Sequence, residues 1–299
     1  TFVGRSRELQ ALKEAFEMAE SGNGQVVGIV GEAGVGKSRL LYEFRKAVTN
    51  EDVIFQEGKC LSYSKGVAYH PVIDIVKSNF DLMADDDDVE ISAKLKRGLK
   101  ALGVDEASTL PYFLELLSVK DSGVDPISLS PEARKDRIID ALNRSTIKAS
   151  QIRPLIMAIE DLHWIDKSSE DTLKALLDSI AGERIFLIFT YRPEFVHTWG
   201  SKSYHSHITL NRLSNRESLM MVYHLLRTEA LDRDLEEFIL EKSEGIPFFI
   251  EELIKSVKDL KIIERKDRRN CITKDVKEVK NQGTNITINR IKCQEMSNF

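Results

Sequence analysis

The sequence lacks the features that mark secreted, metal-stapled or membrane-spanning proteins. Its 299 residues include three cysteines, Cys60, Cys271 and Cys293, too widely spaced for a disulfide framework or a zinc site. No apolar run approaches the roughly 18 residues that cross a bilayer, and no signal peptide opens the chain. We therefore predict no membrane span, and a cytoplasmic, reducing location.

Positive charge is also in short supply. Lys and Arg total 43 against 48 Asp and Glu, which leaves a net charge of −5. No global positive field is available to hold phosphate backbones, so we expect no tight binding to nucleic acid. The hydrophobic share of 42% and charged share of 30% are typical of a globular chain with one large domain or two smaller ones.

Short apolar runs alternate with helical patterns along much of the chain. Gln25–Val30 is predicted to be a buried strand, followed by a glycine-rich loop and a helix with Leu40 and Phe44 on one face. A second strand is predicted to start at Val53, and strand, helix and strand in this order predict a parallel sheet. Further strands are predicted at Leu155–Ile159, Ile185–Phe189 and Ile208–Leu210.

Helical patterns fill most of the remaining chain. Residues Leu61–Ser150 are predicted to be mostly helical, and a helix after the Leu155 strand is predicted to be capped near Ser168 or Ser169. The run Asp85–Asp88 favours a solvated loop or a helix start over a cation site. From Ser214 onward the pattern is again helical.

The glycine-rich loop matches the pattern G-x-x-x-x-G-K-[ST] in full. Its residues are Gly31, Glu32, Ala33, Gly34, Val35, Gly36, Lys37 and Ser38. Such a loop wraps backbone N–H groups around phosphates at the positive end of the following helix. Lys37 is predicted to reach the β- and γ-phosphates of ATP, and the Ser38 hydroxyl to coordinate Mg²⁺. The preceding strand and following helix argue against a plain glycine turn.

Two carboxylates follow the predicted strand Leu155–Ile159. Glu160 is placed where a P-loop protein needs a metal-side acid, and Asp161 where it needs a water-activating carboxylate. The reverse assignment stays open, and so does a structural pair that merely ends the strand. Arg192, just past the strand Ile185–Phe189, is predicted to sense the γ-phosphate. Pairing with a structural carboxylate is the alternative for this arginine.

Six motifs occur in a fixed order. They are FVGRSREL, GEAGVGKSRL, LIMAIEDLHWID, FLIFTYRPE, ITLNRLSNRES and SEGIPFFIEEL. The set, over about Thr1–Val276, resembles the signal-transducing ATPases with numerous domains, of the AAA group related to origin-recognition ATPases. It is similar to the ATPase modules that follow adenylate/guanylate cyclase or kinase domains in bacterial signalling proteins.

This resemblance implies an α/β fold. The expected core is a five-stranded parallel sheet, with the Walker A strand central and helices on its faces. The implied P-loop domain covers residues 1–205, and a helical lid covers 206–262. Residues 263–299 are expected to be an incomplete or divergent tail at the start of a winged-helix segment. From about Asn281 the tail departs from the pattern, and truncation, frame disruption and divergence all stay open.

The resemblance also implies roles for single residues. Val3 and Arg5 match the segment that lines the adenine and ribose, and the P-loop motif extends to Arg39. Pro247, in a Gly-x-Pro of the lid, matches the proline that touches adenine, and Arg192 matches the sensor arginine. Glu160 departs from the aspartate more common at its position.

The resemblance implies a nucleotide switch with slow hydrolysis. ADP would hold a closed state, and exchange for ATP would allow self-association and control of a linked cyclase- or kinase-type effector. Because the chain starts inside a motif at Thr1, we interpret it as a segment cut from a longer protein, or as one processed at its start. Two alternatives stay open: a DNA-associated ATPase of the origin-recognition type, and a non-hydrolysing scaffold that holds nucleotide.

Overall fold

The computed structural model describes residues 2–64, 66–120, 129–200, 202–259, 263–266 and 269–272. The chain forms two compact units. The first, here the P-loop unit, comprises the described parts of 1–9, 30–43 and 209–299, and the second, here the sheet unit, comprises those of 10–29 and 44–208. The predicted change of pattern from Asn281 lies outside the described residues.

The secondary structure follows the predicted alternation. The helices are α1 (Ser6–Glu20), α2 (Lys37–Ala47), α3 (His70–Asn79), α4 (Asp88–Ala101), α5 (Leu110–Leu116), α6 (Pro131–Ile152), α7 (Lys167–Leu177), α8 (Asn215–Leu226), α9 (Arg233–Ser243) and α10 (Pro247–Asp259). The strands are β1 (Gln25–Val30), β2 (Ile54–Lys59), β3 (Leu155–Glu160), β4 (Ile185–Tyr191), β5 (His205–Thr209), β6 (Ile263–Lys266) and β7 (Arg269–Ile272). Within the described ranges no helix is both long and apolar enough to cross a membrane.

The first five strands form one parallel sheet in the order β2-β3-β4-β1-β5. Leu155 of β3 lies between Ile54 of β2 and Ile185 of β4, and every residue of β3 and β4 is buried. This burial on both faces explains their continuous apolar sequences. The α/β prediction with a five-stranded parallel sheet is therefore confirmed. The Walker A strand β1, expected to be central, lies inside the sheet between β4 and β5, and the middle strand is β4.

Aromatic packing closes the sheet unit on one face of β4. The Phe44 ring centroid lies 5.7 Å from that of Phe186, and Phe16 lies 6.3 Å from each. Edge-to-face packing of this kind adds to the burial energy of the rings. The contacts join α1, the end of α2 and β4 in one core.

The predicted helical stretch Leu61–Ser150 contains α3, α4, α5 and most of α6. Its aspartate run starts α4: the Asp87 carboxylate accepts the Glu90 N–H at 2.8 Å, and Asp86 pairs with Lys94 at 2.6 Å. The helix-start interpretation is thus confirmed. In the part of the chain that the structure describes, no three His, Cys, Asp or Glu side chains are grouped as a metal ion requires.

The cap of α7 differs from the prediction near Ser168 or Ser169. The N-cap is Asp166, whose carboxylate accepts the N–H of Ser169 at 2.9 Å and its hydroxyl at 2.6 Å. Asp166 is favoured as the cap over the two serines because it also accepts the N–H of Tyr69 at 2.9 Å, a residue 97 positions earlier in the chain. The predicted caps are the second and third residues of the helix, and Ser169 is fully buried there.

The helices α8, α9 and α10 form the core of the P-loop unit. A capping box starts α8, in which Ser214 and Glu217 exchange side-chain and backbone hydrogen bonds. Val222, Ile239 and Ile250 are fully buried between the three helices. The predicted helical pattern from Ser214 is confirmed as far as Asp259, and the strands β6 and β7 that follow were not predicted.

Candidate nucleotide-binding site

The P-loop backbone requires glycine at several positions. Gly34 and Gly36 have φ values of +73° and +102°, a region that side chains rarely adopt. A Cβ on Gly31 would lie 2.8 Å from Val35 Cγ2 and 2.9 Å from the Leu210 carbonyl. The sequence pattern thus corresponds to a backbone that only glycine permits.

Lys37 is the first residue of α2, and it turns back over the loop. Its Nζ donates to the carbonyls of Gly31 at 2.9 Å and Glu32 at 3.0 Å, and the residue is only 8% exposed. Ser38 follows on the exposed side of the helix start, and the first turn carries no acidic residue. A fixed ammonium, a hydroxyl and a helix N-terminus without opposing charge fit a phosphate group with its metal ion.

The N-terminal segment is fastened to the P-loop by Arg5. Its guanidinium donates to the carbonyls of Val35 (3.5 Å) and Asn211, and it pairs with Glu8 at 3.2 Å. Val3 packs against the core of the three lid helices. These two residues, predicted to line the adenine and ribose, therefore hold the segment in place, and their ligand contacts stay predictions.

The Gly-x-Pro of the lid turns the chain sharply into α10. Gly245 has a φ of +73°, and its carbonyl accepts the Leu213 N–H at 2.7 Å. Pro247 is the first residue of α10, where its missing N–H is harmless. The N–H of the next residue, Phe248, donates to the Gly34 carbonyl at 3.2 Å. The lid helix therefore holds the P-loop through its own backbone.

A second link between the loop and the lid is ionic, and no sequence pattern predicted it. Arg212 pairs with Glu32 of the P-loop at 3.0 Å and with Glu244 at 2.9 Å. The Glu32 hydrogen bond is the main cause of the raised pKa of Arg212. Arg39, predicted to contact nucleotide, pairs with Glu43 at 2.7 Å and lies over the Tyr42 ring.

The predicted acidic pair lies in the sheet unit, at the end of β3. Glu160 is 8% exposed, and its carbonyl accepts the Cys60 N–H at 2.9 Å. Asp161 has a φ of +55°, a costly conformation that the Thr190 hydroxyl fixes by accepting its N–H at 3.0 Å. Its carboxylate is 31% exposed and 4.0 Å from Lys59 Nζ. The backbone of Asp161 is thus fixed by Thr190, while its side chain stays partly exposed.

Cys60, beside this pair, is chemically quiet. Burial, followed by the charges of Asp166 and Asp161, raises the pKa of its thiol to about 12. The thiol therefore stays protonated at neutral pH while it is buried, which makes it a poor nucleophile.

Arg192 directly follows β4, two residues after Thr190. Its carbonyl accepts the Phe195 N–H at 3.0 Å, which starts a turn. Glu160, Asp161 and Arg192 thus belong to the sheet unit, while the P-loop, Arg5 and Pro247 belong to the P-loop unit. The catalytic, cofactor and metal roles of all these residues stay predictions.

The fold and the loop define a P-loop ATPase. Residues 1–188 match the family described as AAA ATPase domain, and the chain belongs to that family. The match covers the P-loop, β3 with its acidic pair, and most of β4.

Three individual proteins are similar to the chain. A Rhizobium meliloti (strain 1021) protein described as uncharacterized is 28% identical over 263 residues, which are 84% of this chain and 24% of that protein. A signal transduction ATPase with numerous domains that carries a tetratricopeptide repeat sensor, from Pyrococcus horikoshii, matches with 15% identity and a TM-score of 0.44, over 85% of this chain and 30% of its own. A chain of the Drosophila origin recognition complex bound to DNA matches with 13% identity and a TM-score of 0.48, over 87% and 62%. The chain thus spans about a quarter of its Rhizobium relative.

Proposed function

We propose that this AAA ATPase domain is a regulatory switch that binds ATP with Mg²⁺, hydrolyses it slowly and controls a linked signalling effector. The observation that carries the proposal is the hydrogen bond from the Phe248 N–H of the lid to the Gly34 carbonyl of the P-loop. We infer that a rearrangement of the loop around phosphates changes this hydrogen bond. The lid would then move with the nucleotide state of the loop.

The residues of the P-loop unit supply binding. Lys37 Nζ, which donates to the carbonyls of Gly31 and Glu32, is proposed to pair with phosphate oxygens, together with the N–H groups of a helix start. Ser38 and Glu160 are proposed to hold Mg²⁺, which when bound neutralises phosphate charge. Arg5 and Pro247 are proposed to border the adenine.

The residues of the sheet unit supply hydrolysis. Asp161 is proposed to orient and deprotonate the attacking water, because its carboxylate is partly exposed while its backbone is fixed by Thr190. Arg192 is proposed to stabilise charge that develops on the γ-phosphate. Slow turnover suits a switch, because the rate of hydrolysis sets how long the ATP-bound state lasts.

The effector and self-association are the parts of the proposal that reach beyond this domain. The Rhizobium relative extends well beyond the length matched here, which leaves room for further domains. A cyclase- or kinase-type effector is proposed on the motif order alone. Self-association in the ATP state is proposed on the same basis.

Binding is tested with a fluorescent ATP analogue. Lys37→Ala removes a buried ammonium, and we expect affinity to fall at least about tenfold, as for a lost charged hydrogen bond. Lys46→Ala, at the exposed end of the same helix, is the matched control. Equal affinity in Lys37→Ala and the control would defeat the proposal.

The switch is tested by hydrogen exchange at the Phe248 amide. Its protection should differ between the ADP form and a form with a non-hydrolysable ATP analogue, because this amide is bonded to the P-loop. Identical protection of the Phe248 amide in both forms would contradict the proposed switch, although it would not contradict nucleotide binding.

A further inference from the structure

A cavity of about 300 Å³ lies inside the sheet unit, between the sheet and the helices α3, α4, α6 and α7. Its floor is Met157 of β3, and its walls include Val76, Leu142 and Leu173. An apolar cavity of about 150 Å³ already accommodates benzene, so this one has room for two fused rings. Neither ATP binding nor hydrolysis uses this space.

One polar atom points to a ligand. Gln56 of β2 lines the cavity and is 5% exposed, and its Oε1 has no hydrogen-bond partner among the described residues. A buried acceptor left without a hydrogen-bond partner destabilises the folded chain. A bound donor would satisfy it.

The hydroxyl groups around the cavity add acceptors and no donors. Each donates its proton elsewhere: Ser145 to the Ala141 carbonyl at 2.9 Å, and Ser169 to Asp166 at 2.6 Å. Thr146 and Thr172 likewise donate to helix carbonyls, both at 2.9 Å. Their oxygens keep lone pairs for a ligand that donates.

The lining also argues for a neutral aromatic molecule. Arg153 is the charged residue of the described lining, and its guanidinium pairs with Asp52 at 3.3 Å. The rings of Phe80 and Phe113 border the space in an edge-to-face pair at 5.5 Å, and Met157 adds a polarisable sulfur. Aromatic ligands match such surroundings.

We propose that this cavity binds a neutral, fused-ring aromatic molecule that donates one hydroxyl or N–H hydrogen bond to Gln56. The site is independent of the nucleotide. Ile159 lines the cavity and immediately precedes Glu160, so the occupant lies against the strand that carries the predicted acidic pair.

The test compares 2-naphthol with naphthalene, which has the same rings without the donor. Affinities are measured on the full chain by ligand fluorescence, without nucleotide. The wild type should bind 2-naphthol about tenfold more tightly, the value of one satisfied hydrogen bond. Gln56→Leu should reduce this preference to less than about threefold and should not lower the melting temperature, because it removes an unsatisfied buried acceptor.

A second pair of variants tests the location. Ala149 lines the cavity on α6, whereas Ala175 on α7 does not. Ala149→Phe should weaken both probes at least about tenfold by filling the space, and Ala175→Phe should leave both unchanged. Circular dichroism checks that each variant is folded, and Gln56→Leu keeps the test decisive if Ala149→Phe is not.

Three results would overturn the proposal: no binding of either probe to the wild type, an unchanged preference in Gln56→Leu, or equal weakening by both phenylalanine variants. Lys37→Ala should leave both affinities unchanged. Failure of ATP binding and failure of this site are therefore separate outcomes.

Discussion

The P-loop unit and the sheet unit assemble their predicted site residues in different ways. In the P-loop unit, eight consecutive residues make the loop, and backbone geometry at Gly34 and Gly36 gives it shape. In the sheet unit, Asp161 depends on Thr190, a residue 29 positions away on the next strand. The predicted phosphate-binding loop is thus encoded locally, whereas the candidate hydrolytic residues are brought together by strand order.

The largest expected effect comes from a variant that distinguishes the sheet unit from the P-loop unit. Asp161→Asn keeps a side chain that tolerates positive φ but removes the proposed base, so ATP turnover should fall at least about 100-fold. Affinity for the ATP analogue should stay within about threefold, because the P-loop unit is unchanged. Phosphate release and ligand fluorescence measure the two quantities.

Asp178→Asn is the control for this change, since Asp178 is an exposed carboxylate at the end of α7. Turnover that survives Asp161→Asn would assign the base to Glu160 or to neither carboxylate. Turnover lost equally in both variants would point to a general charge effect.

A smaller effect compares backbone strain in the two units. Gly245 and Gly22 both have positive φ, +73° and +90°, but a Cβ on Gly245 would lie 2.3 Å from the Leu213 carbonyl. No described atom lies within 4 Å of a Cβ on Gly22. Gly22→Ala should cost about 1 kcal/mol of unfolding free energy, and Gly245→Ala about 2 kcal/mol more.

Urea unfolding measures both variants. Equal losses would mean that the lid turn relaxes around the added methyl group. The strict glycine requirement of the Gly-x-Pro would then be wrong.

The smallest effect is a pH dependence confined to the sheet unit. Burial, and after it the neighbours His197, His207 and Lys202, hold the pKa of His205 below its usual 6.5. The unfolded chain therefore binds the proton more readily, and the contribution of His205 is present above pH 6.5 and lost as pH falls through the lowered pKa. The urea midpoint should fall less between about pH 7.5 and about pH 5.5 in His205→Gln than in the wild type.

Equal slopes in wild type and variant would contradict this assignment. Exchange at the Phe248 amide, which lies in the P-loop unit, should show no difference between the wild type and His205→Gln at either pH.

The sequence predicted most where chemistry is contiguous. The P-loop pattern predicted a glycine-rich loop that leads into a helix at Lys37, and the apolar runs of β3 and β4 predicted buried strands. Both signals arise within a few residues. Tertiary context had little room to alter them.

Long-range contacts were beyond such signals. Glu32 and Arg212 are 180 positions apart, and neither residue type announces a partner. The α7 cap went to Asp166 because Tyr69, 97 positions away, also donates to it, and Ser168 and Ser169 offered equally good local chemistry. Strand bounds also differed from the prediction. Pairing of Glu160 with Lys59 extends β3 by one residue, β4 continues to Tyr191, and β5 covers His205–Thr209 where Ile208–Leu210 was predicted.

The buried Cys60 is a built-in probe for local opening at the ends of β2 and β3. Its thiol is 1% exposed with a pKa of about 12, so a thiol reagent can modify it only during an excursion that separates Cys60 from the Glu160 carbonyl. With Cys271 and Cys293 replaced by serine, the labelling rate counts those excursions directly. The labelling rate of Cys60 thus measures how often the strand end that carries the acidic pair opens.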